Sequence, residues 1–232
     1  MKNPIFVALD VDTDTEALRI VNQTAAHVGG FKVGPRLIVR YGNTFLAKIA
    51  EKAPLFVDNK YFDIPSTMEG AIRASFDSGA SFATIHAQAG KEAMTLLAGV
   101  EKELNKIRPF KILAVTVLTS FKPATLPSVL KPQPIPDMVR ELAQITLESG
   151  LNGLVCSPEE VAMLRKEFPS AYLLVPGIRL GAKVAGDDQE RIADPATTLA
   201  NGASALVVGR PIVAAKDPAI AAQLFVSAAA GH

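Results

Sequence analysis

Apolar residues recur along the chain in eight short runs, and segments with the spacing of amphipathic helices separate one run from the next. The runs cover residues 4–9, 30–34, 55–57, 81–86, 111–118, 152–156, 172–176 and 205–208. Most of them are continuously apolar, which is typical of strands that are buried on both faces of a parallel sheet. Since parallel strands require helical crossovers, the alternation predicts an α/β protein, and eight repeats predict a (β/α)8 barrel, the TIM barrel.

An open, doubly wound sheet would show the same alternation of strands and helices. Its characteristic Gly-x-Gly-x-x-Gly motif follows the first strand, and no such motif follows residues 4–9. A length of 232 residues suits one barrel, because barrels of this kind commonly contain about 250 residues. We therefore expect residues 1–232 to form a single barrel domain.

Two positions where Ser or Thr is followed by Glu three residues later mark expected helix starts. Thr13 with Glu16, and Ser66 with Glu69, have the spacing of a capping box. Residues 123–136 contain five prolines. So many prolines are incompatible with a helix or a central strand, so we expect a long loop after the fifth strand.

Polar and charged residues are concentrated at the ends of the predicted strands. In a parallel barrel all carboxyl-terminal strand ends lie on one rim, and active sites are built there. The residues at or just beyond these ends are Asp10, Lys32, Asp58, Lys60, Thr119, Arg179 and Arg210. We therefore expect these side chains to line one shared site.

The most concentrated group of charges lies at residues 58–63, directly after the apolar run 55–57. Side chains two residues apart in a strand share a face, so Asp58 and Lys60 should point the same way, and Asp63 can fold back from the following turn. Charges at the mouth of a core are costly unless they pair, which favours a compact charged cluster. A solvated surface turn is the alternative. A calcium loop is disfavoured, because a Lys occupies its middle and Gly is absent.

A second group of residues favours an anion site. Arg179 and Arg210 follow the seventh and eighth strands, each near a glycine. Barrels often bind phosphate at the loops after these two strands, and a planar guanidinium group matches pairs of phosphate oxygens. Backbone N–H groups, such as that of Gly209, can add donors. Each arginine alone would be typical of a solvated surface residue, but together they favour a phosphate site.

His86 and Cys156 are two further candidates for chemistry. His86 lies at the end of the fourth strand and could be catalytic. No Ser or carboxylate partner is visible nearby, however, which favours a hydrogen-bonded structural histidine. Cys156 lies in an apolar run, which favours buried packing over a role as nucleophile.

Composition argues against several classes of partner and location. Lys and Arg number 24 against 23 Asp and Glu, so no basic excess points to nucleic acid or to an anionic membrane. The single cysteine excludes an internal disulfide framework and suits a reducing compartment. We find no signal peptide and no uninterrupted apolar stretch of about 18 residues, so we expect a cytoplasmic protein.

Residues 58–67, DNKYFDIPST, resemble the Asp-x-Lys-x-x-Asp-Ile-Pro-x-Thr signature of the orotidine 5′-phosphate decarboxylase family. Asp-x-Lys-x-x-Asp alone occurs in a wider set of sugar-phosphate enzymes, but the Ile-Pro-x-Thr that follows narrows the match. Further segments that look like bacterial members of the family begin at residues 8, 31, 118, 176, 186 and 208, in the expected order. Asn59 departs from the family, in which an apolar residue is common there, but it should face away from the site.

The resemblance implies decarboxylation of orotidine 5′-phosphate to UMP and carbon dioxide, the last step of UMP synthesis, without a cofactor or metal. It implies that Lys60 is the candidate proton donor. The residues assigned to the network at the reacting carbon are Lys32, Asp58, Lys60 and Asp63. Those assigned to the rest of the substrate are Asp10 and Thr67 for the ribose, Thr119 for the pyrimidine, and Arg179, Gln189, Gly209 and Arg210 for the phosphate.

The resemblance also implies a homodimer in which Asp63 crosses into the partner's site. The turn at residues 61–65 fits this arrangement, since two aromatic residues and an Ile in an exposed loop would be better buried against another subunit. A monomer could also fold them inward. Residues 180–189 show no periodicity and contain two glycines, so we predict a mobile lid that closes over the phosphate.

Two other functions stay open at the level of the sequence. A related sugar-phosphate decarboxylase of the 3-keto-gulonate-phosphate type shares Asp-x-Lys-x-x-Asp but uses magnesium. Lys32 argues against it, because a cation repels magnesium. A non-catalytic phosphosugar-binding protein would keep the two arginines but would not need Asp58, Lys60 and Asp63.

Overall fold

The computed structural model describes residues 3–121, 123–128, 130, 133–181 and 192–231. Eight parallel strands pair in sequence order, and the last pairs with the first, so the sheet closes into a barrel. This architecture confirms the predicted (β/α)8 barrel. The strands are β1 (Ile5–Ala8), β2 (Gly30–Val33), β3 (Leu55–Tyr61), β4 (Ala80–His86), β5 (Lys111–Val115), β6 (Gly153–Val155), β7 (Tyr172–Val175) and β8 (Ala205–Val208).

The helices of the described residues lie between the strands and after the last one. None of them has the length and apolar character that crossing a membrane requires. Two helices follow β8, the first of them short. The helices are α1 (Asp14–Thr24), α2 (Pro35–Ala50), α3 (Pro65–Asp77), α4 (Gly90–Leu104), α5 (Ile135–Glu148), α6 (Val161–Glu167), α7 (Pro195–Ala200), α8 (Arg210–Val213) and α9 (Pro218–Ala229).

The side chains that point into the barrel form a small core of their own. Phe6, Phe56 and Phe82 point inward from β1, β3 and β4, and their rings meet edge to face with centroids 5.4–6.3 Å apart. Tyr172 stacks on Phe82 at 5.8 Å. These rings fill the amino-terminal half of the barrel, so the other end is left for polar residues.

The opposite faces of the strands pack against the surrounding helices. Ile5 and Val7 of β1, for example, are fully buried in this larger core together with Leu55 and Val57 of β3. Burying a side chain of this size contributes roughly 1.5–3 kcal/mol. Burial on both faces explains why the strand sequences are continuously apolar instead of alternating.

Gly30 occupies a position in β2 where a side chain has no room. A Cβ atom there would lie 2.4 Å from the carbonyl oxygen of Pro54 and 2.6 Å from a ring carbon of Phe6. Both atoms belong to the packed amino-terminal half of the barrel, so a larger residue would displace it. Gly30 faces the interior, and Lys32, two residues later on the same strand, faces the same way.

Two strand ends differ from the predicted ones by more than one residue. β3 continues to Tyr61 instead of ending at residue 57, because Tyr61 pairs again with Ile85 of β4 beyond an irregular stretch at residues 58–60. β5 ends at Val115 instead of residue 118. The proline-rich loop is shorter than predicted at its far end, because α5 begins at Ile135.

One predicted helix start is confirmed and the other is wrong. Thr13 is the N-cap of α1, and its side-chain oxygen accepts a hydrogen bond from the backbone N–H of Glu16 at 3.2 Å. The capping box predicted at Ser66 does not form. Helix α3 begins at Pro65 with Ile64 as its N-cap, because the fixed φ of proline suits the first helical position.

Candidate active site

A cavity of about 550 Å³ opens at the carboxyl-terminal ends of the strands. This volume is within the range of pockets that hold small ligands. Apolar residues of the barrel interior, among them Phe56 and Leu174, form part of its wall. Its polar lining contains eight residues that the sequence marked as candidates: Asp10, Lys32, Asp58, Lys60, Thr119, Arg179, Gly209 and Arg210.

Strand alternation explains how three of the charged residues reach this cavity. Asp10 follows Phe6 and Ala8 on the inward face of the first strand, and Asp58 follows Phe56 on the third. Lys32 faces inward from β2 between them. The three neighbouring strands therefore bring the side chain of Lys32 between the carboxylates of Asp10 and Asp58.

The charged side chains form a continuous chain of ion pairs. Nζ of Lys32 lies 3.3 Å from Oδ1 of Asp10 and 3.2 Å from Oδ2 of Asp58. The other carboxylate oxygen of Asp58 accepts a hydrogen bond from Nζ of Lys60 at 2.9 Å. Asp58 thus holds one ammonium group on each oxygen.

Burial and pairing act in opposite directions on these groups. Burial raises the pKa of Asp58, but the charges of Lys32 and Lys60 and the hydrogen bonds to its oxygens outweigh burial, so the pKa lies below its usual value. Burial lowers the pKa of Lys32, but Asp58 and Asp10 outweigh it, so the pKa lies above its usual value. Both groups are therefore charged at neutral pH.

Lys60 has an unusual main-chain conformation. Its φ is +50°, the only positive φ at a non-glycine residue within the described chain. For such a residue this left-handed conformation costs of order 1 kcal/mol or more, and it is concentrated at functional sites. The backbone N–H of Lys60 donates to Oγ1 of Thr84 at 2.9 Å, and this hydroxyl donates to Oδ1 of Asp58 at 3.0 Å.

Sequence reasoning missed Thr84 and Arg36. Thr84 lies two residues after the inward-facing Phe82, so the alternation of β4 would have placed it in the interior. Arg36 lines the cavity from the start of α2 and forms a 3.4 Å ion pair with Asp12. Arg36 lies between the second and third apolar runs, where no pattern in the sequence marks it as facing the cavity.

His86 is half-buried at the end of β4, and its ring lies 6.0 Å from that of Phe62. Its Nδ1 atom is buried without a hydrogen-bond partner, so the hydrogen bond expected of a structural histidine is not formed at this nitrogen. Burial lowers the pKa of His86, and the positive charge of Lys60 lowers it further. The neutral ring is therefore favoured at neutral pH.

Cys156 is fully buried, as predicted.

The anion-binding candidates lie on the side of the cavity formed by β7 and β8. Arg179 is 5% exposed, its backbone N–H donates to the carbonyl of Ala193 at 3.0 Å, and its guanidinium donates to the carbonyl of Ile178 at 2.8 Å. Gly209 precedes α8, and Arg210 is its first residue. Gln189 lies outside the described residues, as do all other residues of the predicted lid, 180–189, except its first two.

Asp63 and Thr67 are not part of the cavity lining. The expectation that Asp63 folds back onto Asp58 and Lys60 is wrong for the single chain: Asp63 is exposed, and its Oδ1 accepts from the N–H of Ile64 at 2.7 Å. This local bond, followed by the start of α3 at Pro65, directs the carboxylate away from the cluster. Thr67 is exposed in the first turn of α3.

Comparisons with known proteins agree with the geometry. A family model described as "Orotidine 5′-phosphate decarboxylase / HUMPS family" matches residues 3–225. The chain is 41% identical to the orotidine 5′-phosphate decarboxylase of Thermobifida fusca over 225 residues, which cover 96% of this chain and 94% of that protein. It is 39% identical to the orotidine 5′-phosphate decarboxylase of Paramagnetospirillum magneticum over 229 residues, 96% of each chain.

A solved structure gives an independent comparison of the fold. The crystal structure of an uncharacterized conserved protein from Geobacillus kaustophilus matches with a TM-score of 0.83 at 26% identity. The match covers 97% of this chain and 100% of that one. The two proteins therefore share one fold over almost the whole length of both chains.

Proposed function

The chain belongs to the orotidine 5′-phosphate decarboxylase / HUMPS family, and we propose that its activity, decarboxylation of orotidine 5′-phosphate to UMP and carbon dioxide, takes place in the cavity at the strand ends. The observation that carries this proposal is the buried Lys32–Asp58–Lys60 array, with Asp58 bridging two ammonium groups at 3.2 and 2.9 Å. Its charges are fixed before any substrate binds.

The reaction needs such an array. Loss of carbon dioxide from C6 of the pyrimidine leaves an electron pair on a carbon that no neighbouring carbonyl or imine can delocalise. Preorganised cations in a shielded site can stabilise this developing charge without reorganisation during the step. Lys60 then donates its proton to C6, which completes UMP.

Asp58 has a positioning and electrostatic role in this scheme. Its carboxylate keeps Lys32 and Lys60 protonated and aims both ammonium groups from opposite oxygens. Asp10, which also pairs with Lys32, has its second carboxylate oxygen left to accept from a ribose hydroxyl. Thr119 contacts the pyrimidine from the loop that follows β5.

The phosphate binds on the opposite side of the cavity, at Arg179, Gly209 and Arg210. The guanidinium groups and backbone N–H groups there match the charge and donors that a phosphate requires. We place Gln189 and the lid of residues 180–189 over this group. Closing the lid on the phosphate would use binding energy that is remote from C6 to lower the chemical barrier.

A homodimer completes the site in this proposal. Asp63 is exposed between two exposed apolar side chains, Phe62 at 62% and Ile64 at 64%, and such a turn is suited to burial against a second subunit. Thr67 follows in the first turn of α3 and is also exposed. We therefore propose that both residues reach the partner's cavity, where Asp63 joins the charged network and Thr67 binds the ribose.

The direct test is the change in ultraviolet absorbance when the purified protein is mixed with orotidine 5′-phosphate in EDTA and without any added cofactor. We expect rapid, complete conversion to UMP. Conversion that requires added magnesium would support a metal-dependent sugar-phosphate enzyme, and binding without conversion would support a phosphosugar-binding protein.

The cytoplasmic location predicted from the sequence stays a prediction.

A further inference from the structure

A single buried hydroxyl group connects the main chain of Lys60 with the side chain of Asp58. Thr84 is completely shielded from solvent. Its Oγ1 lies 2.9 Å from the backbone nitrogen of Lys60 and 3.0 Å from Oδ1 of Asp58. The same Oδ1 accepts the hydrogen bond from Nζ of Lys60, so the three residues form a closed ring of contacts.

The chemistry of the three groups fixes the direction of each hydrogen bond. An amide N–H only donates, and an ionised carboxylate only accepts. The hydroxyl of Thr84 must therefore accept from Lys60 and give its one proton to Asp58. Among neutral side chains of this size, only one with both a donor and an acceptor at the same atom can make both bonds.

The pairing of β3 with β4 explains why this hydroxyl is needed. Val57 pairs with Ala83, and the next pair is Tyr61 with Ile85. Three residues of β3, Asp58 to Lys60, therefore lie opposite the single residue Thr84. Bulges of this kind re-aim side chains and leave backbone groups without a partner in the ladder. The side chain of Thr84 supplies the partner that the regular ladder would have given to the N–H of Lys60.

We propose that Thr84 is a positioning residue for decarboxylation: its hydroxyl holds Lys60 in the left-handed conformation and orients the carboxylate of Asp58 towards both lysines. The inference rests on the proposed function, because it acts through Lys60 and Asp58. Thr84 itself does not line the cavity in which the substrate binds. It acts on the aim of the proton donor and not on the affinity for the nucleotide.

The test is the substitution Thr84→Val, which keeps the shape of the side chain and removes the hydroxyl. We expect kcat to fall on the order of 10- to 100-fold, because small displacements of a reacting group have effects of this size. KM should change less than about threefold, since the phosphate contacts are untouched. Thr84→Ser, which keeps the hydroxyl, should restore kcat to within about threefold of the wild type.

Thr116→Val is the matched control. Thr116 lies just beyond β5, is 1% exposed, and donates its hydroxyl to the carbonyl of Val155 at 3.0 Å. The variant Thr116→Val loses one buried hydrogen bond, but residue 116 contacts no member of the charged array. The thermal stability of this variant should therefore fall as that of Thr84→Val does, while its kcat per folded molecule stays that of the wild type. An equal loss of kcat in both variants, or wild-type kcat in Thr84→Val, would overturn the positioning role.

Hydrogen exchange of the wild-type protein decides the question if Thr84→Val does not fold. The amide of Lys60 should exchange at least about 10³-fold more slowly than a free peptide amide, because its N–H is bonded inside the barrel. Exchange near the rate of a free peptide would overturn the inference.

If Thr84→Val keeps full turnover while Lys60→Ala loses it, only the role of Thr84 is wrong. If neither variant loses turnover, the proposed function itself fails.

Discussion

Nζ of Lys32 lies 3.2 Å from Oδ2 of Asp58, and only 13% and 11% of these two side chains are exposed. A buried ion pair with one partner removed leaves a charge that water cannot solvate, which costs far more than losing a surface pair. The pair therefore links the chemistry of the cavity to the stability of the fold. It also sets the direction in which stability depends on pH.

We predict that Asp58→Asn destabilises the protein on the order of 3 kcal/mol at pH 7. The pKa of Asp58 is lower in the folded protein, so its stabilising effect is present above the unfolded pKa, about 3.9, and is lost as the pH falls through the folded pKa. The stability difference between wild type and variant should therefore be constant near neutral pH and shrink below about pH 4. Urea unfolding at each pH measures it.

The exposed Asp77 gives the control for this prediction. Asp77→Asn should show a small difference from the wild type at every pH, since surface substitutions usually change stability by about 0.5 kcal/mol or less. A difference for Asp58→Asn that grows on acidification would mean that Asp58 is not stabilised as a carboxylate in the folded protein.

We predict that Gln189→Ala lowers kcat/KM for orotidine 5′-phosphate about 10-fold or more, because a hydrogen bond to a charged group contributes roughly 1.5–3 kcal/mol. A substrate that lacks the phosphate should be decarboxylated at the wild-type rate. Steady-state kinetics with both substrates measures the effect, and Gln144→Ala on α5 should change neither value. Equal losses with the two substrates would contradict a phosphate-specific role.

Subunit exchange tests the shared site. Lys60→Ala and Asp63→Ala should each be nearly inactive alone. After equal mixing, half of the dimers are heterodimers, and one of the two sites in each heterodimer has neither defect. About a quarter of all sites should therefore recover full turnover in a two-fold dimer.

The control for the exchange experiment mixes Lys60→Ala with Asp58→Ala. Both residues serve the cavity of their own chain, so no heterodimer contains an intact site and activity should stay low. If exchange is verified by labelled subunits and the mixture with Asp63→Ala also stays low, Asp63 acts within its own chain.

The sequence was sufficient to predict the barrel and the positions of Asp10, Lys32 and Asp58 at the strand-end rim, although the pattern around Lys32 alone left open whether it faces inward or outward. Continuous apolar runs reflect burial on both strand faces, and period-two alternation carries each strand from Phe6 or Phe56 to its acid. Both signals are local. They depend on residues within one strand, which is why they can be read without knowing the register between strands.

The sequence was not sufficient to predict the role of Thr84, the left-handed conformation of Lys60 or the direction of Asp63. Thr84 meets Lys60 only because three residues of β3 oppose one of β4, and that register depends on the closed barrel. The carboxylate of Asp63 accepts from the N–H of the next residue, Ile64, instead of joining the cluster. The first two features follow from the tertiary register, whereas the direction of Asp63 follows from a local hydrogen bond of a kind that Asp often forms in turns.

The turnover of Lys60→Ala tests the central claim most directly. The Lys60 ammonium is proposed both to stabilise charge at C6 and to donate the proton, so its removal should lower kcat about 10³-fold or more. Lys91→Ala, at an exposed lysine that pairs with Glu148, should keep the wild-type rate. A folded Lys60→Ala protein with kcat about a thousandth of the wild type or less is the predicted result, and turnover within about tenfold of the wild type would contradict the assignment.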